Sequence, residues 1–469
     1  AVYDSILTRN KRNIHEEVGQ SMEALYEDSL HEHYGALAKH FFIAGSYQKA
    51  SEYSLMAYNR ALKTASVSVA IEHSKRRLMS LENLPADGTV QAQRIDARTQ
   101  LAVNLFMMFN YSEAKKVIDP ILKLAESEEF KSKLSQIYTI IGSYDFMVKE
   151  DTESALQTLH KALRIAEETQ DAFSLFFANY LLSLACSWNC DFEKTSFHMQ
   201  KALNVNLIMD VPWATSIVKS NESYYGYNCM GKVNQGYATS REALRLAENS
   251  EDVLAIAVAN VCHGISCFHK GFFEEAMRFL TKGIKFCERI NTQAFGALAH
   301  HWLGFVCTQK KEYEQAIQHF RDSIALRVSI GWCPSTVNFT KMAAAYANLL
   351  SGENKIDLAK LKDHVRDNKV KFYEGGMARY LGLNIVISTG KFQGQGEDWL
   401  KKALTLHRRN GMRWDLACDY FVLGDTLQSQ GDFAQAIKSF KSAKELFIGC
   451  GSNGWVRETD QALAPISGE

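Results

Sequence analysis

One short motif recurs along this chain at a fixed interval, and it limits the possible architectures more than any other feature. A turn residue precedes an aromatic and then small residues at helical spacing. The clearest copies are Gly271 to Leu280 (GFFEEAMRFL), Lys311 to Phe320 (KEYEQAIQHF) and Gly431 to Phe440 (GDFAQAIKSF). Their alanines, Ala276, Ala316 and Ala436, lie one step of 40 and then three such steps apart. Gly236, Thr195, Ala155 and Ala114 extend the series backwards at steps of 40, 41, 40 and 41, and it opens at Gly45-Ser46-Tyr47-Gln48-Lys49-Ala50. A period of this size marks an array of one supersecondary unit, which buries its apolar face only by stacking on its neighbours.

Each unit reads as two antiparallel helices. Small residues such as Gly304 after Leu303 and Gly424 after Leu423 let a neighbouring helix approach the first helix closely. The turn residue and aromatic close the hairpin. The alanine, with Leu280, Phe320 or Phe440 four positions later and Ala443 in the last copy, forms the buried stripe of the second helix. Only five prolines in 469 residues, against an average near 5%, agree with long helices.

These residues resemble the tetratricopeptide repeat. The match is strongest at 264–283, 304–323 and 424–443, fair at 34–57, 98–121 and 182–202, and degenerate elsewhere. The stretch 336–370 carries MAAAYANLL and a polar KIDLAKLKDHVRDNKV, and the unit opening at Leu381-Gly382 has a turn lengthened by GKFQGQGED. The family unit is usually about 34 residues, so the longer period here lengthens each helix by most of a turn. The resemblance implies an all-α, right-handed superhelical solenoid of about ten hairpins.

The spacing breaks once, where Ala50 to Ala114 is a single wider step. The intervening text predicts an added amphipathic helix ended by Pro85 and the loop Ala86-Asp87-Gly88. The N-terminal text is similar to the junction in bacterial proteins that join a class III nucleotidyl cyclase, a STAND/AAA-type ATPase and a C-terminal tetratricopeptide array. The matching residues are Tyr3, Ser5, Ile6, Leu7, Arg9, His15, Leu25, Tyr26, His33, Leu37, Ala38, His40 and Phe41. That resemblance implies a helical connector over 1–30, ending an upstream winged-helix/ATPase module. It implies a first hairpin plus extra helix over 31–90, the array over 91–330, degenerate repeats over 331–410, and a C-terminal repeat and cap over 411–469. The opening AVYDSILTRNKRN has no leader pattern and reads as the start of a fragment.

Fifty-three basic residues balance 53 acidic ones, which removes the electrostatic footprint of a dedicated nucleic-acid or anionic-membrane binder. Ten cysteines without tight pairs, Cys186/Cys190 and Cys262/Cys267 being the closest spacings, read as reduced core thiols of a cytoplasmic protein. The stretch from Ala172 to Cys190 is free of charge, yet its serines and asparagines and its lack of a basic flank read as a buried helix.

No residues carry a recognisable catalytic pattern. There is no G-x-x-x-x-G-K-[ST] loop, no G-x-G-x-x-G turn and no G-x-S-x-G elbow. His31, His33 and His40, and the adjacent His300-His301, lack the paired spacing of a zinc hydrolase and read as structural, so no metal site and no cofactor are expected. Glu16-Glu17, Glu167-Glu168 and Glu274-Glu275 read as solvated helix faces. The resemblance places the first helix of each hairpin along a concave groove, and the positions facing it are Tyr180, Trp188, Asn221, Tyr225, Asn228, Phe268, His269, His301 and Phe305. Amides that hold a peptide backbone beside aromatics that cover its side chains suit a partner surface, and the same aromatics would also fill the seams between helices. On the groove reading, Asn228→Ala with Tyr225→Ala abolishes partner capture without lowering the melting temperature. The resemblance implies a non-catalytic regulatory sensor that binds a protein, a peptide or a small effector and signals to an ATPase and output domain in cis. A stand-alone adapter is the alternative, and an enzyme on a helical array would need a metal or nucleotide site that the sequence does not display.

Overall fold

The computed structural model describes residues 8–63, 67–127, 130–353 and 356–467; these form α-helices with short 3₁₀ and π turns and, among the described residues, no strand. The chain divides into two compact units, Ala1–Tyr144 with Arg164–Thr169, and Asp145–Leu163 with Gln170–Glu469.

The first unit contains α1 (Thr8–Leu25), the hairpin α2 (Tyr34–Ala44) and α3 (Tyr47–Lys63), α4 (Val67–Glu82), the pair α5 (Gly88–Met107) and α6 (Tyr111–Ile118), a short α7 (Leu122–Ala125), and most of α8 (Lys131–Met147). Leu37, Ala38, Phe41 and Ala50 are fully buried between α2 and α3. The connector helix α1 is tied to that hairpin, because Glu23 accepts hydrogen bonds from Lys49 Nζ at 2.7 Å and from the Tyr53 hydroxyl at 2.6 Å. His15 and His40 meet through their Nδ1 atoms at 3.0 Å, and His33 lies against Tyr26 with ring centroids 3.9 Å apart. Tyr3, Ser5, Ile6, Leu7 and the side chain of Arg9 lie outside the described residues.

The helix added where the spacing breaks is α4. Beyond its end the Asp87 carboxylate caps α5 by accepting from the Val90 N–H at 2.8 Å. The Arg94 guanidinium donates to the carbonyls of Leu81 and Leu84, each at 2.9 Å, satisfying groups that the end of α4 leaves open. Pro120, which has no N–H to donate, ends α6 early and hands the chain to a 3₁₀ turn.

After α9 (Thr152–Thr169), which spans both units, the second unit stacks seven hairpins. They are α10 (Ala172–Trp188) with α11 (Phe192–Met209), α12 (Pro212–Asn221) with α13 (Val233–Ser250), α14 (Val253–Lys270) with α15 (Phe273–Arg289), α16 (Gln293–Gln309) with α17 (Tyr313–Ile330), α18 (Pro334–Leu350) with α19 (Leu358–Arg366), α20 (Lys371–Thr389) with α21 (Gln395–Arg409), and α22 (Arg413–Ser429) with α23 (Phe433–Cys450). A last helix, α24 (Asn453–Leu463), caps the stack. The degenerate text at 336–370 folds as a hairpin whose second helix is only 9 residues long. The all-α, tetratricopeptide-like hairpin array read from the sequence is the observed fold.

The repeat works through a seam between its two helices. Ala155, Ala276, Ala316 and Ala436 have no exposed surface. Opposite them, a Cβ placed on Gly304 would stand 2.4 Å from the Phe320 ring, and one on Gly424 2.8 Å from the Phe440 ring. The small residue of the first helix is therefore the space into which the second helix sends its phenylalanine.

Within the second unit the array also returns onto itself. The Trp455 indole N–H donates to the Phe268 carbonyl at 2.8 Å across 187 residues, and the Ser335 hydroxyl donates to the Glu150 carboxylate at 2.6 Å across 185. Lys270 Nζ reaches the Gly451 carbonyl across 181 residues. A Cβ on Gly454 would lie 2.3 Å from the Gly271 oxygen, so the two turns touch backbone to backbone. The common separation corresponds to between four and five hairpins per superhelical turn, with successive turns in contact.

The uncharged stretch from Ala172 is α10, and 12 of its 17 residues are buried. Among the described residues one helix, α14, is long and apolar enough to cross a membrane, and 83% of it is buried in the protein. All ten cysteines are free thiols, and all but Cys190 are buried.

Gly304→Ala is expected to lower unfolding free energy by about 1–3 kcal/mol through overpacking against Phe320. Denaturant titration measures this, and Phe320→Leu in the same chain should recover part of the loss.

Candidate functional site

The first helices of successive hairpins point equivalent positions inward, so an aromatic at one such position meets aromatics from the next. In the second unit, α14, α16, α18, α20, α22 and α24 enclose a cavity of about 700 Å³, within the size range of ligand pockets. Phe305, Phe339, Tyr346, Tyr380 and Phe421 are only partly buried and face it. Phe305 stacks on Tyr380 with centroids 6.0 Å apart, and Tyr380 meets Phe339 and Tyr346 edge-on, each at 5.7 Å.

The charged groups of this wall differ in how they are compensated. Arg379 is buried, and its guanidinium donates to Asp419 at 2.6 Å and to the Asp415 carbonyl at 2.7 Å. Asp419 also accepts from His407 at 2.6 Å. Asp425, in contrast, has no hydrogen bond or ion pair among the described residues, and its carboxylate has open surface in the cavity. Surrounding protein pushes its pKa above the usual carboxylate range, with Lys311 pulling the other way. The phenols of Tyr313 and Tyr346 are raised by burial and then by the nearby Asp425 charge.

Burial disfavours the charged form of two histidines at this wall, His269 and His301. His269 lies between Trp302 and Trp414, with centroids 5.1 and 4.3 Å away, and its Nδ1–H donates to the Ile265 carbonyl at 2.8 Å. Burial depresses its pKa to about 4 despite that hydrogen bond. His301, hydrogen-bonded to Thr340 Oγ1 at 2.9 Å, is lowered further, by burial and then by Arg327.

Of the nine residues projected from the sequence, Phe268, His269, His301 and Phe305 line this cavity. The other five do not. Trp188 fills the contact between turns, with Phe146 at 4.4 Å and Tyr373, from the next superhelical turn, at 6.1 Å. Tyr225 packs on Tyr224 at 4.3 Å and Tyr180 on Phe176 at 6.0 Å. The Asn221 amide is turned back to the Ile217 carbonyl at 2.9 Å. Asn228 sits inside the hairpin seam, donating to Ser266 Oγ at 3.0 Å, and a Cβ on Gly236 would come within 2.1 Å of its Oδ1. Asn228→Ala therefore removes a packed, hydrogen-bonded amide and is expected to lower stability, contrary to its use as a stability-neutral groove variant.

Tyr313, Phe339, Tyr346, Tyr380, Phe421 and Asp425 were missed. The signal for one of them was present, since Phe305 follows Gly304 and Asp425 follows Gly424, so the projection that selects Phe305 selects Asp425 three repeats later. Tyr346 and Tyr380 stand in repeats whose small and aromatic markers have drifted, and Tyr313 belongs to a second helix.

Residues 420–447 match the Tetratricopeptide repeat family. No curated protein matches the chain. Among solved structures, a Rap protein complexed with Competence and Sporulation Factor superposes with a TM-score of 0.50 at 12% identity, over 86% of this chain and 99% of that one. A Signal Transduction ATPase with Numerous Domains (STAND) protein with a tetratricopeptide repeat sensor, from Pyrococcus horikoshii, gives 0.45 at 15% identity over 86% of this chain and 55% of that one. The apo form of the quorum sensor NprR from B. thuringiensis gives 0.45 at 13% over 75% and 98%. At these identities the likeness concerns the fold.

Burial holds His198 and His263, like His269, at a pKa of about 4. The unfolded chain therefore binds more protons between about pH 6.5 and 4, so stability is complete above that window and falls as pH drops through it. Denaturant midpoints measured across the window should fall with acidity. His269→Gln should flatten the slope by about one proton.

Proposed function

We propose that the second unit is a non-catalytic ligand-sensing and protein-interaction scaffold whose cavity takes an extended peptide, or an exposed segment of a protein partner, that carries a basic group among apolar side chains. The observation that carries this reading is the unpaired Asp425 carboxylate in a wall of partly buried aromatics. Aromatic faces cover apolar side chains and attract cations, and an unpaired carboxylate beside them attracts an ammonium or guanidinium. The solved Rap protein, of similar fold, holds Competence and Sporulation Factor, which is in keeping with a bound factor here.

The wider reading is a sensor arm of a multidomain signalling ATPase linked to a nucleotidyl cyclase. It is supported by the N-terminal pattern His15, Leu25, Tyr26, His33, Leu37, Ala38, His40 and Phe41. A ligand that touches α16, α18, α20 and α22 together favours the superhelical curvature that fits it, and such a population shift would be the signal passed in cis. The reading frame upstream of Ala1 tests this: a phosphate-binding loop followed by the array supports the sensor arm, and a start codon with nothing before it supports a free adapter.

Selection of a random peptide library on the full chain tests the cavity. Basic, aromatic-rich or aliphatic-rich peptides should be enriched. Asp425→Asn should weaken their binding about tenfold or more, consistent with the roughly 1.5–3 kcal/mol of a hydrogen bond to a charged group, while the melting temperature holds. Enrichment of acidic peptides, or equal binding by Asp425→Asn, would overturn the reading.

A further inference from the structure

His300, the neighbour of cavity-lining His301, faces a different set of groups. Its Nδ1 lies 3.1 Å from His319 Nδ1 and 3.7 Å from an Asp322 carboxylate oxygen. The three ligand atoms all fall within 4.8 Å of one another, and each residue is half-buried. His300 comes from α16, and His319 and Asp322 stand three apart on α17, so they share one face of that helix. The other Asp322 oxygen accepts a hydrogen bond from Gln318 Nε2 at 2.8 Å, which fixes the carboxylate with its free oxygen towards His300.

We propose that His300, His319 and Asp322 form a binding site for a divalent first-row transition ion, with Zn²⁺ as the probe. Two imidazoles and one carboxylate are a donor set that suits Zn²⁺ and its neighbours rather than Ca²⁺ or Mg²⁺. Two nitrogens each about 2.0–2.1 Å from one ion stand about 3 Å apart, close to the observed 3.1 Å. The ion's remaining positions go to water, since 15% of the His300 side chain and 39% of Asp322 are exposed. Glu288 adds a second negative charge near His300, so the local potential favours a cation.

A hydrogen bond between the imidazoles is the competing account of the 3.1 Å contact, and the fold contains a built-in comparison. His15 and His40 also meet at 3.0 Å, but Lys39 lowers the pKa of both, a positive charge that opposes a cation. The hydrogen-bond account explains neither the third ligand nor the Gln318 orientation. The site does not depend on the cavity or its ligand. It would staple the two helices of a hairpin, so binding should register as stability as well as stoichiometry.

Equilibrium dialysis of the full chain with Zn²⁺, followed by metal analysis and thermal melting, tests the site. The expected result is one saturable Zn²⁺ per chain and a raised melting temperature. His319→Gln and Asp322→Asn should each weaken binding at least tenfold and abolish the thermal shift, while His40→Gln behaves as wild type. Co²⁺ in place of Zn²⁺ should give a visible absorption band that both α17 variants lose. Absence of saturable binding would overturn the proposal. So would uptake that is unchanged in the two variants, as when thiols elsewhere take the metal, and circular dichroism of the metal-free variants separates loss of the site from loss of the fold.

Discussion

The cavity depends on how the C-terminal end of α14 is satisfied. The last carbonyls of a helix have few partners within it; here two tryptophan indoles from far along the chain donate to them, the Phe268 carbonyl also accepting from the Gly271 N–H at 2.9 Å. Trp455 Nε1 donates to Phe268 and Trp414 Nε1 to His269 at 3.1 Å. Both indoles are almost fully buried, at 2% and 4% exposure, where a free N–H would be costly. The contact is close because Gly271 and Gly454 leave no side chain between the two turns. An array of hairpins without this clasp would present an open groove, and with it the second unit's inner face is partly enclosed.

Enclosure sets the chemistry of that face. Burial disfavours the positive form of His269 and His301, and Arg379 keeps its charge because Asp419 and Asp415 surround it. Asp425 stands apart as a carboxylate with open surface towards the cavity and no partner among the described residues. Inner aromatics diverge in the same way. Trp188 is used up in joining successive turns, whereas Phe305, Tyr346 and Tyr380 keep open surface towards the cavity.

The hairpin seam was legible in the sequence because its physics is local. Ala316 and Phe320 are four apart on one helix, and Gly304 lies in the helix just before it, so a fixed spacing records their contact. The inserted α4 was legible for a related reason, since it displaces the spacing and stops at Glu82, shortly before Pro85 and the Asp87 cap. The site was legible only in part. Phe268, His269, His301 and Phe305 follow the family's projection to the cavity, while Asn228 lies in the hairpin seam because the repeat position that is alanine elsewhere is Gly236, which makes room for an amide there. His300 was visible as a histidine, but His319 and Asp322 join it only through the pairing of α16 with α17.

The sequence by itself determined an all-α array, its regular repeat period, the small residue and phenylalanine that lock each hairpin, and an even balance of charge. These depend on contacts within one or two neighbouring helices, which periodicity encodes. Tertiary structure alone decided that the inner face closes into a cavity, that Asp425 is left unpaired in it, and that two histidines and an aspartate converge. Closure joins residues 181 to 187 apart, a distance set by the accumulated rotation of several hairpins, and small rotations summed over that length are written in no single motif.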